Sequence, residues 1–294
     1  MKHLLDLETL DAQTITRLLD RAARCKAGEQ RAPTKARVAN LFFETSTRTR
    51  TSFESAQRAL GLEVVSLAVQ ASSVQKGESL RDTIETLLAM GIRIVVVRHP
   101  ASGAAAYVAR RTEAQVVNAG DGQHEHPTQG LLDAFTLREH WGSLCGKTVT
   151  IIGDVRHSRV ARSNLQGLKK LGVKVRLFGP LALVPRELGA EIAESWDDAV
   201  RGADALMMLR LQRERMAQGF LPELADYRRG FGLTEARAQA LPPQVLVLHP
   251  GPMNRGVEID DTVADGPRSL IAAQVQNGVF VRMAVLATML EEPS

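Results

Sequence analysis

The sequence is poor in cysteine, with Cys25 and Cys145 its only two among 294 residues. Two cysteines, neither in a CxxC, cannot build a disulfide framework, so a reduced, cytoplasmic protein is expected. Aromatic residues make up only 4%, which leaves few platforms for stacking nucleobases. No uncharged apolar run approaches the ~18–20 residues of a membrane helix. The longest candidate, Ile92 to Val97, is broken by Arg93. Asp6, Glu8 and Asp11 near the N-terminus do not fit a secretory signal. Lysine is also scarce, at eight residues against 29 arginines. Codon bias covers most of that imbalance. The sharper reading is that several arginines grip anions with their planar forks.

What is present is ordinary for a globular protein: 44% hydrophobic and 24% charged residues. The net charge of +4 is spread along the chain with no basic run longer than two, so neither a nucleic-acid partner nor a membrane is expected. Short β-branched runs alternate with amphipathic stretches. Strands are expected at Arg37–Phe43, Leu62–Leu67 and Ile92–Val97, with a further extended segment at 114–118. Helices are expected from about Thr47 to Gly61, from Glu78 to Met90, at 102–112 and at 128–140. The pattern then restarts. Strands are expected at Lys147–Ile152, Val173–Phe178, Ala205–Leu209 and Val245–Leu248. A helix spans about Ser158 to Leu171, helical segments fill most of 212–240, and one long helix runs from about 269 to 290. Two rounds of strand–helix alternation predict two doubly wound parallel-sheet α/β domains. They are expected at 1–140 and 141–294, with ligands bound beyond the carboxyl ends of the strands.

Seven segments carry candidate chemistry. Glu44-Thr45-Ser46-Thr47-Arg48-Thr49-Arg50-Thr51 crowds hydroxyls and arginines where a strand enters a helix. Such a start can cradle a phosphate, although plain N-capping by Ser46 or Thr47 accounts for one hydroxyl. It is not a Walker loop, because GxxxxGK[ST] is absent. Ser72-Ser73-Val74-Gln75-Lys76-Gly77 reads, taken alone, as a solvated loop. Arg98 follows a buried strand, at the position of a cleft. In His124-Glu125-His126-Pro127-Thr128-Gln129 a metal set is incomplete, whereas His126 and Gln129 could both meet a substrate carbonyl group. Gly153-Asp154 leads into a helix start bearing Arg156, Arg159 and Arg162, without the GxGxxG of a dinucleotide site. Arg210 ends a strand, and His249-Pro250-Gly251-Pro252 could present rigid backbone carbonyls. There is no nucleophile–base pair, metal set or cofactor fingerprint. The pattern points to group transfer by positioning and charge stabilisation, with no cofactor.

Over essentially its whole length the sequence resembles the aspartate/ornithine carbamoyltransferase family. The most specific matches are Ser46-Thr47-Arg48-Thr49-Arg50, His126-Pro127-Thr128-Gln129 and His249-Pro250-Gly251-Pro252. The resemblance implies that Ser46, Thr47, Arg48 and Thr49 hold the phosphate of carbamoyl phosphate. It gives Arg98, His126, Gln129 and the backbone of Gly251 and Pro252 to the carbamoyl end. It gives Lys76, Arg159, Arg210 and Gln212 to L-aspartate; the loop around Arg156, rich in Arg and His, departs from the family's version, which leaves Arg156 or Arg162 to share the role of Arg159. Thr49, Arg98 and His126 are the implied catalytic donors. Gly251 stands where the family often has Leu, a change that a backbone contact survives. An active site in the cleft between the domains is implied, with the C-terminal helix packing back on the first domain. The family also implies a homotrimer with shared active sites, in which Ser72 and Lys76 reach a neighbouring subunit. A regulatory chain or a dihydroorotase-like partner chain is compatible with that assembly. The implied reaction makes N-carbamoyl-L-aspartate, an early step of de novo pyrimidine biosynthesis. An ornithine enzyme is the nearest alternative, but it carries a Cys in the segment matching His249–Pro252, and neither Cys is near. A non-catalytic α/β assembly subunit is disfavoured by the complete set of cations.

Overall fold

The computed structural model describes residues 1–29, 36–68, 79–216 and 223–291. The chain divides into two compact units, Met1–Phe135 with Val275–Ser294, and Thr136–Gln274. Each is a parallel-sheet α/β structure, the class that strand–helix alternation predicts.

The first unit begins with α1 (Ala12–Lys26), an element the strand–helix reading passed over. Asp11 caps it, accepting the Thr14 N–H at 2.6 Å. Ile15, Leu18, Leu19, Ala22 and Cys25 form its buried stripe. There follow β1 (Arg37–Phe42), α2 (Thr47–Ala59), β2 (Glu63–Ala68), α3 (Leu80–Ala89), β3 (Ile94–His99), α4 (Ala104–Arg111), β4 (Gln115–Asp121) and α5 (Pro127–Trp141). The four strands are parallel in the order β2-β1-β3-β4. Helices cover a parallel sheet on both faces, which is why β3 reads as continuous Ile-Val-Val-Val and why Ile94, Val95, Val96 and Val97 are all buried. One polar pair is built into this core. Asn40 on β1 and Gln57 on α2 exchange two amide hydrogen bonds, both 2.8 Å, and so pin α2 to the sheet.

The second unit carries β5 (Thr148–Ile152), α6 (Arg159–Lys170), β6 (Lys174–Phe178), β7 (Glu191–Ile192), α7 (Trp196–Val200) and β8 (Ala205–Met208). It continues with α8 (Leu224–Phe231), α9 (Glu235–Ala240), β9 (Leu246–Leu248) and α10 (Asp261–Ala264). Its five parallel strands run β7-β6-β5-β8-β9. The strands β5, β6, β8 and β9 stand where the hydrophobic runs place them. Between 179 and 204 the sequence pattern predicts no element, yet two short 3₁₀ turns, β7 and α7 lie there. These pieces are too short for a periodic signal to register.

The last helix, α11 (Ile271–Glu291), carries the residues that return to the first unit. Arg21 of α1 pairs with Glu291, and Lys26 Nζ donates to Asn277 Oδ1 at 3.0 Å. Gln115 Nε2 on β4 donates to the Met289 carbonyl at 3.2 Å.

Candidate active site

In the first unit the candidate residues collect at the carboxyl ends of β1, β3 and β4, adjacent strands of one sheet. The β1–β3 register sets Phe42 beside Arg98, and the Phe43 N–H donates to the Arg98 carbonyl at 2.8 Å. Arg98 Nη1 donates to Thr49 Oγ1 at 3.3 Å and to the Ala119 carbonyl at 3.2 Å. Its Nε stands 3.3 Å from Glu44 Oε2. The guanidinium thus bridges the ends of three strands' connections and is mostly buried, so its direction is fixed before any ligand arrives.

Ser46 occupies the N-cap of α2, but its hydroxyl makes no capping bond. The capping serines of α3 and α6 do otherwise, accepting the N–H groups of Asp82 and Ala161. The α2 start therefore offers its amides, the Ser46 hydroxyl and the exposed side chains of Thr47 and Arg48 to an anion. Thr49, one turn inside, is buried.

His126 and Gln129 sit at the start of α5, both buried. The His126 carbonyl accepts the N–H groups of Gln129 and Gly130 at 2.9 and 3.2 Å. The neighbouring His and Glu serve elsewhere. His124 Nδ1 bonds to Asp121 at 3.1 Å, and Glu125 accepts the Leu7 and Glu8 N–H groups. The His124-Glu125-His126 cluster is thus divided among separate partners. Among the described residues no group of three or more His, Cys, Asp or Glu is placed to hold a metal.

The second unit has its own group at the ends of β5, β8 and β9. Gly153 leaves β5 with φ 126°, a conformation glycine tolerates. A Cβ there would lie 2.8 Å from Tyr227 Oη and 2.9 Å from the Leu209 carbonyl. Asp154 follows, fully buried, and ties two loops together. Its Oδ1 accepts His157 N–H at 3.2 Å and lies 2.9 Å from His157 Nδ1. Its Oδ2 accepts the Gln212 N–H at 3.2 Å. In the sequence Asp154 stands out only as part of a turn. Its role depends on a partner 58 positions away, which no local pattern signals. Glu44 carries no local signal for the same reason, its partner Arg98 lying 54 positions away on β3.

Arg159 is the buried first residue of α6. Arg156 is exposed, and its Nε donates to the Ala182 carbonyl at 2.8 Å. Arg210 pairs with Glu214 through both guanidinium ends. Gly251 and Pro252 are joined by a cis peptide bond. The Gly251 N–H donates to His249 Nδ1 at 2.9 Å, which leaves the proton of that ring on Nε2, 3.3 Å from Glu258 Oε1. Ser72 and Lys76 lie outside the described residues.

Two family models match this chain end to end. The carbamoyl-P binding domain of aspartate/ornithine carbamoyltransferase matches residues 2–139, and the Asp/Orn binding domain matches residues 145–289. The chain belongs to the aspartate/ornithine carbamoyltransferase family. It is 54% identical to the aspartate carbamoyltransferase catalytic subunit of Gemmatimonas aurantiaca, covering 97% of this chain and 92% of that one. A solved aspartate transcarbamoylase from Trypanosoma cruzi, in complex with carbamoyl phosphate and aspartate, superposes with a TM-score of 0.87. It is 32% identical, with 97% of this chain and 96% of that one covered. An ornithine carbamoyltransferase from Thermus thermophilus also reaches 0.87, at 29% identity and 99% coverage of both chains. The shared fold serves both family branches.

Proposed function

We propose that the protein transfers the carbamoyl group of carbamoyl phosphate to the amine of L-aspartate. The products are N-carbamoyl-L-aspartate and phosphate, an early step of de novo pyrimidine biosynthesis. The observation that carries the reading is Arg98, braced by Thr49 and Glu44 beside a helix start whose serine makes no capping bond. In this reading Ser46, Thr47, Arg48 and Thr49 hold the phosphate. Arg98, His126, Gln129 and the Gly251–Pro252 backbone hold the carbamoyl end. Arg159, Arg210, Gln212 and Lys76 hold aspartate. Identity of 54% to an aspartate carbamoyltransferase catalytic subunit, over 97% of this chain, supports aspartate as acceptor. So does chemistry, since ornithine carries a cationic side chain that two arginines repel.

The aspartate amine attacks the carbamoyl carbon as a neutral nucleophile. Negative charge grows on the carbonyl oxygen, where Thr49, Arg98 and His126 donate. The C–O bond to phosphate then breaks, and the leaving phosphate is stabilised by the α2 amides and Arg48. The phosphate itself takes the amine proton, so the protein need supply no base.

The assembly in this reading is a cytoplasmic homotrimer with shared sites, to which Ser72 and Lys76 of a neighbouring subunit contribute. A regulatory or dihydroorotase-like partner chain is compatible with it. The test incubates the protein with carbamoyl phosphate and either aspartate or ornithine, and measures phosphate release. Release with aspartate alone is expected. Release with ornithine alone, or with neither, overturns the reading.

A further inference from the structure

Gln129 is an amide in a place where its orientation matters. An amide has one end that accepts and one that donates, and the two are nearly the same shape. Gln129 Nε2 donates to Asp133 Oδ1 at 2.9 Å, one turn along α5. A carboxylate only accepts, so this bond decides which end of the amide faces Asp133. The other end, Oε1, receives no hydrogen bond among the described residues.

Asp133 is fully buried, and a buried carboxylate needs an opposing charge. Arg282 of α11 supplies it. That guanidinium is buried too, and Asp133 acts on it electrostatically. It stacks 4.9 Å from the Phe53 ring centre, and Nη1 donates to Ser52 Oγ at 2.8 Å. Its Nε makes no hydrogen bond. Gly278 clears the space, because a Cβ there would overlap Arg282 Nη1. A buried cation with an unused donor is costly to keep. The acid it faces is one hydrogen bond from a candidate substrate contact.

We infer that Asp133, with Arg282 as its counter-charge, is a positioning residue that locks the Gln129 amide with its carbonyl oxygen toward the ligand. The consequence is specificity. The locked oxygen favours a phosphoryl ligand that presents an N–H over an isostere that presents a methyl group. This rests on the proposed carbamoyl transfer and names what selects its donor substrate.

The probes are carbamoyl phosphate, acetyl phosphate and inorganic phosphate, with binding measured by calorimetry on the full-length assembly. The native protein is expected to prefer carbamoyl over acetyl phosphate. Asp133→Asn lets the new amide donate to Gln129 and turn it over. That variant should lose roughly tenfold or more of the preference. Inorganic phosphate, which has no amide, should bind it as before. Exchanging the two groups, in Gln129→Glu with Asp133→Asn, again leaves an acceptor facing the ligand and should restore the carbamoyl-to-acetyl ratio. An unchanged ratio in a folded Asp133→Asn variant overturns the inference, as does equal weakening of all three ligands. If Asp133→Asn does not fold, the native protein decides by NMR of the Gln129 side-chain amide, assigned through its loss in Gln129→Glu. Slow hydrogen exchange with carbamoyl phosphate bound supports the lock, and fast exchange overturns it. Absence of carbamoyl phosphate binding to the native protein removes the proposed function itself, a result separate from a lost preference.

Discussion

Arg210 does not stand open at the end of β8: Glu214, four residues on, takes its guanidinium in a two-pronged pair, one arm 3.2 Å long. The carboxyl of Glu214 falls below its ordinary value chiefly through that bond. Arg210 is thus presented as a preformed, oriented fork, already in the geometry that grips a carboxylate. Arg210→Ala is expected to raise the aspartate KM tenfold or more, since a hydrogen bond to a charged group is worth about 1.5–3 kcal/mol. Arg210→Lys keeps the charge without the fork and should recover only part of that loss. Aspartate saturation curves decide, and an unchanged curve for Arg210→Ala makes the residue structural. Arg159→Ala should behave alike.

Arg98→Ala and His126→Ala should act on turnover instead. Loss of one preorganised donor to a developing oxyanion costs about 10²–10³ in rate. Arg98 is held by Thr49, Ala119 and Glu44. The expected pattern in steady-state kinetics is a large fall in kcat with a small change in the aspartate KM. Near-normal turnover of both variants would sink the assignment.

The pair Asp121–His124 should leave a pH signature on stability. The bond from Asp121 raises the His124 pKa above 6.5, against the opposing pull of burial. For Asp121, burial pulls upward, but hydrogen bonds from His124, Asn118 and Gly103 prevail and hold it below 3.8. A raised imidazole contributes fully below its unfolded pKa and loses the contribution as pH climbs through the folded one. A lowered carboxyl contributes above its unfolded pKa and loses it as pH falls through the folded one. The pair therefore stabilises most between about pH 4 and 6.5. NMR titration of the His124 ring should give a midpoint above 6.5, and Asp121→Asn should lower it.

Gly153→Ala should destabilise by about 1–3 kcal/mol, through crowding against Tyr227 and Leu209 at a φ of 126°. The same substitution displaces Asp154 and hence the loop holding Gln212. Thermal melts and the aspartate KM should both move. A native melting temperature would show that the Tyr227 ring gives way.

Shared sites predict complementation between defective subunits. Lys76→Ala and His126→Ala trimers should each be nearly inactive. After mixing, dissociation and reassembly, some interfaces pair two intact halves and activity should return. Recovery no higher than either parent, while native protein survives the same treatment, would falsify the shared site.

Much of this was legible in the residues themselves. The alternation of Arg37–Phe42, Ile94–His99 and Thr148–Ile152 with amphipathic segments predicts parallel sheets, and parallel sheets predict ligands at strand ends. Every candidate residue among those described lies on such an end, or on the loop or helix it leads into. The spacing of Ile15, Leu18, Leu19 and Ala22 was equally readable, and α1 could have been found by it. What stayed hidden is long-range. Glu44 with Arg98, Asp154 with Gln212 and Asp133 facing Arg282 are pairings between distant positions, and nothing local to either partner encodes them. Ser46 illustrates a second limit. A serine at a helix start reads the same whether its hydroxyl caps the helix or is left for a ligand, and only the folded helix start shows the capping bond missing.

The return of α11 has a consequence for how the chain is made. Residues 136–274 form a continuous stretch, whereas the first unit needs Val275 onward. During synthesis the second unit is therefore fully translated while the first still lacks its last helix. At ordinary elongation rates Asp133 waits roughly 7–30 s for Arg282 to be added. Throughout that interval the nascent first unit lacks the Arg282 guanidinium and the buried Val281, Val285 and Leu286 side chains of α11, and chaperone demand should concentrate there.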